Sequence, residues 1–347
     1  MAVFVAISAL VLLMVCPQAA DAQPADRAGL SGEQLYRTAC AACHGNDGRG
    51  QPIAVRGFEL EPPDFTDCHL TTPEADLDWS SVIHQGGPAR AFDRMMPAFG
   101  DELSDAEIAK LIGHLRGFCA EPRWPHGDLN MPRALFTEKA FPENEAVLTT
   151  TFGRGDEPRM TNEFLYEHRV GRRGQYEIFA QDADEIGGAY KHVLFDSHRR
   201  GSIFSGGGEV KFNDSGAVFE AFGAFSQALP LVTDGFLHAH AGIEMPTEKD
   251  APNEVFWRTA MGKSFMVRRW GRAWSPIVEL LAAREMVSGA AVEWDAVPQL
   301  QVSLSTRQHV LVNLGVRLPL TQQAERPASV SVYLLWDWFD GGFFSGW

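Results

Sequence analysis

The 347-residue sequence lacks three things, and each absence narrows the possible structures. No cysteine follows Cys119, so chemistry or crosslinks that need thiols are confined to the first third of the chain. No long apolar run follows residue 15, so no transmembrane helix is expected. Basic residues are few: 30 Lys and Arg face 45 Asp and Glu, and the formal net charge of −15 argues against a nucleic-acid partner.

The first 22 residues have the character of a secretory signal peptide. Residues 1–15 are apolar except for Ser8, and the small-x-small pattern of residues 20–22 fits a cleavage site. Fifteen apolar residues are too few to span a bilayer as a helix. No Lys or Arg precedes the apolar run, which departs from the usual pattern. We expect residues 1–22 to direct export and the mature chain to begin at Gln23.

Residues 40–44 read Cys-Ala-Ala-Cys-His, the C-x-x-C-H signature of c-type haem attachment. Two thiols on one helical turn can add to the two vinyl groups of haem, and the adjacent histidine then supplies the proximal iron ligand. A bare C-x-x-C could instead be a redox dithiol or half of a zinc site. The histidine and the expected export favour haem. We expect one covalent haem c on Cys40 and Cys43, with His44 on the iron.

The segments around this signature predict helices. Ser31 with Gln34 forms a capping box before the first helix, and Ser104 with Glu107 forms a second one. Ile108, Leu111, Ile112 and Leu115 then make an apolar stripe at helical spacing. With the Gly-Asn-Asp-Gly run after His44, residues 31–118 resemble the class I c-type cytochromes. The resemblance implies an all-α haem domain over residues 31–119, whose last helix packs across the first.

The second axial ligand is expected from the Met-Met-Pro-Ala-Phe run that starts at Met95. Proline stiffens the loop into an extended form, which lets a thioether reach the iron. The family pattern places the ligand directly before the proline, which favours Met96, while Met95 reads as a core residue. Three histidines are rival ligands: His69, His84 and His114. A Met/His pair raises the reduction potential and closes the iron to substrates, which favours electron transfer over a haem enzyme.

Two cysteines of the haem domain have no part in the attachment signature. In an exported protein, spare cysteine pairs usually form disulfides, so we expect a Cys68–Cys119 bridge. Two free buried thiols are the alternative.

The rest of the chain changes character. Residues 120–145 contain several prolines among polar residues and read as an extended linker. Residues 146–347 alternate apolar and polar side chains with period two, and we count about twelve such runs. Their starts lie near Ala146, Thr161, Gly174, Ala189, Gly201, Ala217, Asp234, Glu254, Gly271, Ala291, Arg307 and Ala328.

Two all-β folds produce this alternation. An antiparallel β-barrel of about 12 strands in the outer membrane would turn Val312 and Leu314 to lipid and Asn313 and Arg317 to a lumen. A soluble β-sandwich would bury the apolar faces instead. Strand length, the even count and tryptophans near the run ends favour the barrel.

The segment from about residue 191 to 340 also resembles bacterial outer-membrane porin-like proteins, including the phenol-degradation-pathway transporters. The similarity lies in three short motifs: Val193-Leu194-Phe195-Asp196, Gly262-Lys263-Ser264-Phe265 and Arg307-Gln308-His309-Val310-Leu311. The aromatic terminus at Trp347 suits barrel assembly, although glycines break the last run and no aromatic residue lies two positions before the end.

These patterns predict an electron carrier, not an enzyme: a single-haem domain in the periplasm attached to an outer-membrane barrel. Its expected partners are periplasmic redox proteins. The alternative is a soluble periplasmic cytochrome c whose β-sandwich binds a partner or ligand. Polar residues such as His238, His240, Glu244 and Arg317 would line the lumen, but any barrel interior is polar, so no site is assigned there.

Overall fold

The computed structural model describes residues 29–119, 121, 123–153, 160–182, 184–324 and 326–338. The predicted signal peptide and the C-terminal residues 339–347 lie outside these ranges. The described chain forms two compact units, which follow one another in sequence at Asn130 and Met131. Among the described residues, no helix is both long enough and apolar enough to cross a membrane.

The first unit is helical. Six α-helices are α1 (Gly32–Ala39), α2 (Ala41–His44), α3 (Ile53–Arg56), α4 (Cys68–Thr71), α5 (Asp76–Gln85) and α6 (Asp105–Arg116). Both predicted capping boxes are confirmed: the Ser31 side chain accepts the N–H of Gln34, and the Ser104 side chain accepts that of Glu107. These caps satisfy backbone donors that would otherwise have no partner at the first turn of each helix.

Helices α1 and α6 contact each other at their backbones. A Cβ atom on Gly32 would lie 2.1 Å from the carbonyl oxygen of Lys110, so only glycine permits this approach. The Tyr36 ring packs 5.2 Å from His114 and 5.2 Å from Phe118. The predicted apolar stripe is buried around these contacts, at Ile108, Leu111, Ile112 and Leu115.

The expected disulfide is confirmed. Cys68 at the start of α4 is bonded to Cys119, and their Cα atoms lie 5.4 Å apart. The bridge ties α4 to the segment after α6 and closes a loop with a sequence separation of 51 residues.

The second unit is a single antiparallel sheet that closes on itself. Its long strands are β1 (Glu145–Phe152), β2 (Met160–Val170), β3 (Gly174–Gln181), β4 (Glu185–Ser197), β5 (Ser202–Asn213), β6 (Gly216–Ala228), β7 (Gly235–Pro246), β8 (Glu254–Lys263), β10 (Ala273–Glu285), β11 (Glu293–Ser303), β12 (Val310–Pro319) and β13 (Ser329–Asp337). The two-residue β9 (Phe265–Met266) pairs with β10 within one turn.

Each long strand pairs with the next long strand, and β13 pairs back onto β1, with Glu145 opposite Asp337. The twelve long strands therefore form a closed barrel, as predicted, and each starts within four residues of its predicted position. The β-sandwich alternative is wrong, because two packed sheets cannot give one continuous ring of pairings.

The barrel is apolar on its outer face and polar in its interior, the reverse of a soluble protein. In β12, Asn313 is fully buried while the next residue, Leu314, is 55% exposed. The pattern recurs around the ring, where the exposed residues include Leu148, Phe164, Ile178, Leu194, Phe212, Trp257, Leu280 and Leu334 and the buried ones include Glu167, Lys191, Ser226, His238, Glu279 and Gln301. An apolar outer face and a polar interior are what a barrel in lipid requires.

Candidate haem site and the plugged barrel

Cys40, Cys43 and His44 lie on one helical turn. Cys40 ends α1 and caps α2, and the His44 N–H donates to the Cys40 carbonyl at 2.9 Å. Among the described cysteines, only Cys40 and Cys43 are free thiols. Cys68 and Cys119 are joined in the disulfide, so Cys40 and Cys43 keep the free thiols that haem attachment requires.

The imidazole of His44 is prepared for metal ligation. It stacks on Phe65 with ring centroids 4.9 Å apart, and its Nδ1 is buried with no hydrogen-bond partner. Burial lowers the pKa of His44 to about 4, so the ring is neutral at physiological pH. Neutral imidazole is the form that binds metal. Two free thiols beside such a histidine fit a c-type haem.

Tyr36 fixes the turn that follows His44. Its hydroxyl donates to the Gly45 carbonyl at 2.6 Å from the fully buried position between α1 and α6. Burial, reinforced by the nearby Cys40, raises the pKa of Tyr36, so the phenol stays a donor. Neither Tyr36 nor Phe65 was singled out by sequence, because no motif marks them and only long-range packing brings them to His44.

The methionine loop favours Met96 over Met95. Met96 is half-buried and packs against the hydrophobic core of the helical unit, whereas Met95 is 46% exposed. The Gly87 N–H donates to the Met96 carbonyl at 2.9 Å, which holds the loop against the end of α5. A Cβ atom on Gly87 would lie 2.1 Å from the Asp93 carbonyl oxygen, so the approach again requires glycine.

The three rival histidines have packing contacts elsewhere in the unit. His114 lies against Phe118 with ring centroids 5.1 Å apart, on the face of α6 that contacts α1. His69 is exposed and meets Trp124 edge-on at 4.5 Å. His84 lies beneath Gly100, where an added Cβ would come within 2.4 Å of the imidazole.

The interior of the barrel holds a segment that sequence analysis assigned to an extended linker. Residues 131–144, here called the plug, belong to the barrel unit and bond to inward-facing side chains. The Glu279 carboxylate accepts the backbone N–H groups of Leu135 at 3.0 Å and Thr137 at 2.7 Å. His238 donates from Nε2 to the Pro132 carbonyl at 2.9 Å. The linker assignment missed this because the segment has no periodicity of either kind.

Buried ion pairs also join the plug to the barrel strands. Arg133 bonds Glu145 at 2.7 Å and Glu167 at 2.9 Å, and Lys191 bonds Glu138. Because removing one partner would leave a buried charge uncompensated, each pair resists displacement of the plug.

The side chains predicted to line the lumen have contacts inside the barrel, and one of them bonds the plug. Of the polar residues expected to line it, His238 bonds the plug and His240 lies between the rings of Phe222 and Phe256. Arg317 pairs with Asp295 at 2.5 Å, and Glu244 lies 3.6 Å from Lys211. These side chains contact other parts of the protein, so their presence alone does not define a conduction path.

Residues 27–115 match the family described as cytochrome C oxidase, cbb3-type, subunit III. This part of the chain is therefore a c-type cytochrome domain, a class whose members carry haem and transfer electrons. No curated protein sequence matches the chain.

Three solved structures are similar to the barrel. They are the NanC porin (6% identity, TM-score 0.44, 56% of this chain and 98% of that chain), the KdgM porin (9%, 0.39, 56% and 99%) and an outer membrane channel from Pseudomonas putida F1 (6%, 0.38, 60% and 100%). At these low identities, our argument for the barrel rests on the strand pairing within this chain.

Proposed function

We propose that this protein is an electron carrier of the bacterial outer membrane, in which one covalent haem c is attached to a plugged β-barrel. The observation that carries the proposal is the group formed by Cys40, Cys43 and His44. Its thiols are free, its imidazole is buried without a partner at Nδ1, and Met96 packs against the same core. The haem would supply one-electron redox chemistry, with Cys40 and Cys43 holding it and His44 and Met96 as axial ligands.

The membrane location is supported by the barrel itself. Its outer face is apolar around the ring, and strands of 8 to 13 residues suit a tilted crossing of the hydrocarbon layer. In water this surface would be an aggregation hazard, because large exposed apolar patches are rare on soluble monomers. The soluble alternative therefore loses its support together with the sandwich.

The direction of the chain supports one orientation of the barrel in the membrane. β1 begins and β13 ends at the same end of the barrel, and the plug bonds to side chains nearest that end, such as Ser226 and Gln175. The plug, which directly follows the haem domain in sequence, therefore lies toward this end of the barrel. We place this end in the periplasm, where soluble redox proteins would exchange electrons with the haem.

Haem staining of membrane fractions tests the proposal. The stain should follow the outer membrane, require detergent for extraction and survive a denaturing gel, because the thioether bonds are covalent. The Cys40→Ala/Cys43→Ala variant should keep the protein in the membrane but lose the stain. A stained chain in the soluble periplasm would contradict the membrane location. Stain that acidic acetone removes from the wild type would contradict covalent attachment.

A further inference from the structure

The two ends of the barrel carry opposite charge. Five turns form the end at which β1 begins, here called the terminal rim: residues 171–173, 198–201, 229–234, 264–272 and 304–309. These turns hold eight arginines and a single carboxylate, Asp234. The arginines are Arg172, Arg173, Arg199, Arg200, Arg268, Arg269, Arg272 and Arg307.

At the opposite end of the barrel, the charged residues of the described turns are mainly acidic. Its described turn residues include five carboxylates, Asp182, Asp184, Asp214, Glu248 and Asp250, and two cations, Lys249 and Arg326. Among the described turn residues, eight arginines thus lie on the terminal rim and one, Arg326, on the opposite rim, although the chain as a whole has a net charge of −15. A general excess of basic residues cannot explain them.

Apolar side chains lie among these arginines. Leu231 in the turn between β6 and β7 is 96% exposed, and Val267 beside Arg268 is 63% exposed. The guanidinium of Arg269 lies 4.9 Å from the centre of the Trp270 ring. Arginine, tryptophan and exposed aliphatic residues together are typical of the boundary between headgroups and hydrocarbon, where an apolar body and a charged end both find solvent.

Exposed apolar residues of the outer face extend up to the terminal rim. Val170 precedes the first turn, Leu194 and Phe195 lie near the end of β4, and Leu304 begins the last turn; all four are exposed. The arginines therefore lie where the apolar face ends, which in a bilayer around the barrel would be near the lipid phosphates.

We propose that the terminal rim is a docking surface for anionic phospholipid headgroups of the leaflet next to it. Guanidinium groups bind phosphate through paired hydrogen bonds, and a negatively charged headgroup adds electrostatic attraction. The exposed Leu231 and Val267 favour a lipid over an acidic protein, because both would enter the acyl region beside the bound phosphates. This inference goes beyond electron transfer and depends on neither the haem nor its ligands.

Lipid retention in vesicles of known composition tests the proposal. The folded protein is reconstituted with equal amounts of phosphatidylcholine and phosphatidylglycerol, extracted gently, and its bound lipids are quantified by mass spectrometry. Wild type should retain phosphatidylglycerol in several-fold excess. Because each arginine near a charged leaflet adds to the attraction, replacing three exposed ones should bring the ratio close to one.

The test variant is Arg199→Ser/Arg200→Ser/Arg268→Ser, and the matching Lys triple variant should keep the preference because it keeps the charge. Lys249→Ser on the opposite rim is the control and should behave as wild type. A mobility shift on boiling shows that each variant is folded. The proposal is overturned if wild type shows no preference for phosphatidylglycerol. The rim would then be a surface for a protein partner and not for lipid headgroups. The proposal is equally overturned if the Arg→Ser variant keeps the preference, or if Lys249→Ser loses it to the same extent.

Discussion

The Glu279 carboxylate on β10 accepts both the backbone N–H, at 2.7 Å, and the hydroxyl, at 2.5 Å, of Thr137 in the plug. A residue 142 positions away thus anchors a segment that lies inside the barrel. Hydrogen bonds to a charged group contribute about 1.5–3 kcal/mol each, and leaving such partners unsatisfied costs more. These bonds hold the plug inside the barrel.

We expect Glu279→Ala to open the barrel. The variant removes the acceptor that Leu135, Phe136 and Thr137 share, so the plug should leave its position for part of the time. In planar bilayers, wild type should show little conductance and Glu279→Ala should show open-channel events. Glu244→Ala is the control, because its carboxylate lies beside Lys211 and not on the plug. Equal conductance in wild type and Glu279→Ala would show that the plug does not seal the pore.

Met96→Ala should abolish the methionine-to-iron charge-transfer band of the oxidised protein, while Met95→Ala should keep it. The physical reason is burial: Met96 packs on the core, and Met95 is turned outward. Gly87→Ala should weaken the band, because its new Cβ would displace the Asp93 carbonyl and with it the loop. Loss of the band in Met95→Ala alone would transfer the ligand role to the other sulfur.

Gly32→Ala should destabilise the haem domain by about 1–3 kcal/mol, because the added methyl would overlap the Lys110 carbonyl and force α1 and α6 apart. Gly113→Ala is a matched control on α6, where an added Cβ meets nothing within 4 Å. Alanine there should stabilise the helix by about 0.5–1 kcal/mol. Thermal unfolding followed by haem absorbance measures both. Two shifts of the same sign would contradict the close helix contact.

Sequence reasoning succeeded where a local pattern determines the structure. The capping boxes at Ser31 and Ser104 predicted the starts of two helices, and period-two alternation predicted the twelve strands. The Cys68–Cys119 bridge followed from cysteine count and export. Sequence reasoning did not find the plug, and it did not find Tyr36 and Phe65. The position of the plug depends on partners more than a hundred residues away in the chain. The positions of Tyr36 and Phe65 depend on the packing of three separate segments. No local signal encodes such contacts.

Loss of the disulfide through Cys68→Ser/Cys119→Ser should lower the free energy of unfolding by roughly 4 kcal/mol, because the bridge closes a long loop in the unfolded chain. The attachment thiols Cys40 and Cys43 remain, so haem staining should persist. Denaturant unfolding of the oxidised wild type, the reduced wild type and the variant measures the effect. If all three unfold at the same denaturant concentration, the bridge contributes nothing to stability.

A charge on the outer face tests the membrane location directly. Leu314 lies near the middle of β12 and is 55% exposed, so in water an arginine there would cost almost nothing. In a bilayer, arginine at the midplane costs about 2–4 kcal/mol, falling to about 0–1 near the interface. Leu314→Arg should therefore impair assembly, whereas Leu320→Arg, one residue beyond the end of the same strand, should be tolerated.

The neighbouring Asn313 is a poorer site for such a test. It is fully buried and donates to Gln299 at 2.7 Å, so an inward arginine would overpack the interior instead of reporting on lipid. The readout for Leu314→Arg and Leu320→Arg is the fraction of chain that shows a mobility shift on boiling after extraction from the outer membrane. Normal assembly of Leu314→Arg would mean that this face meets water, and the outer-membrane proposal would fall.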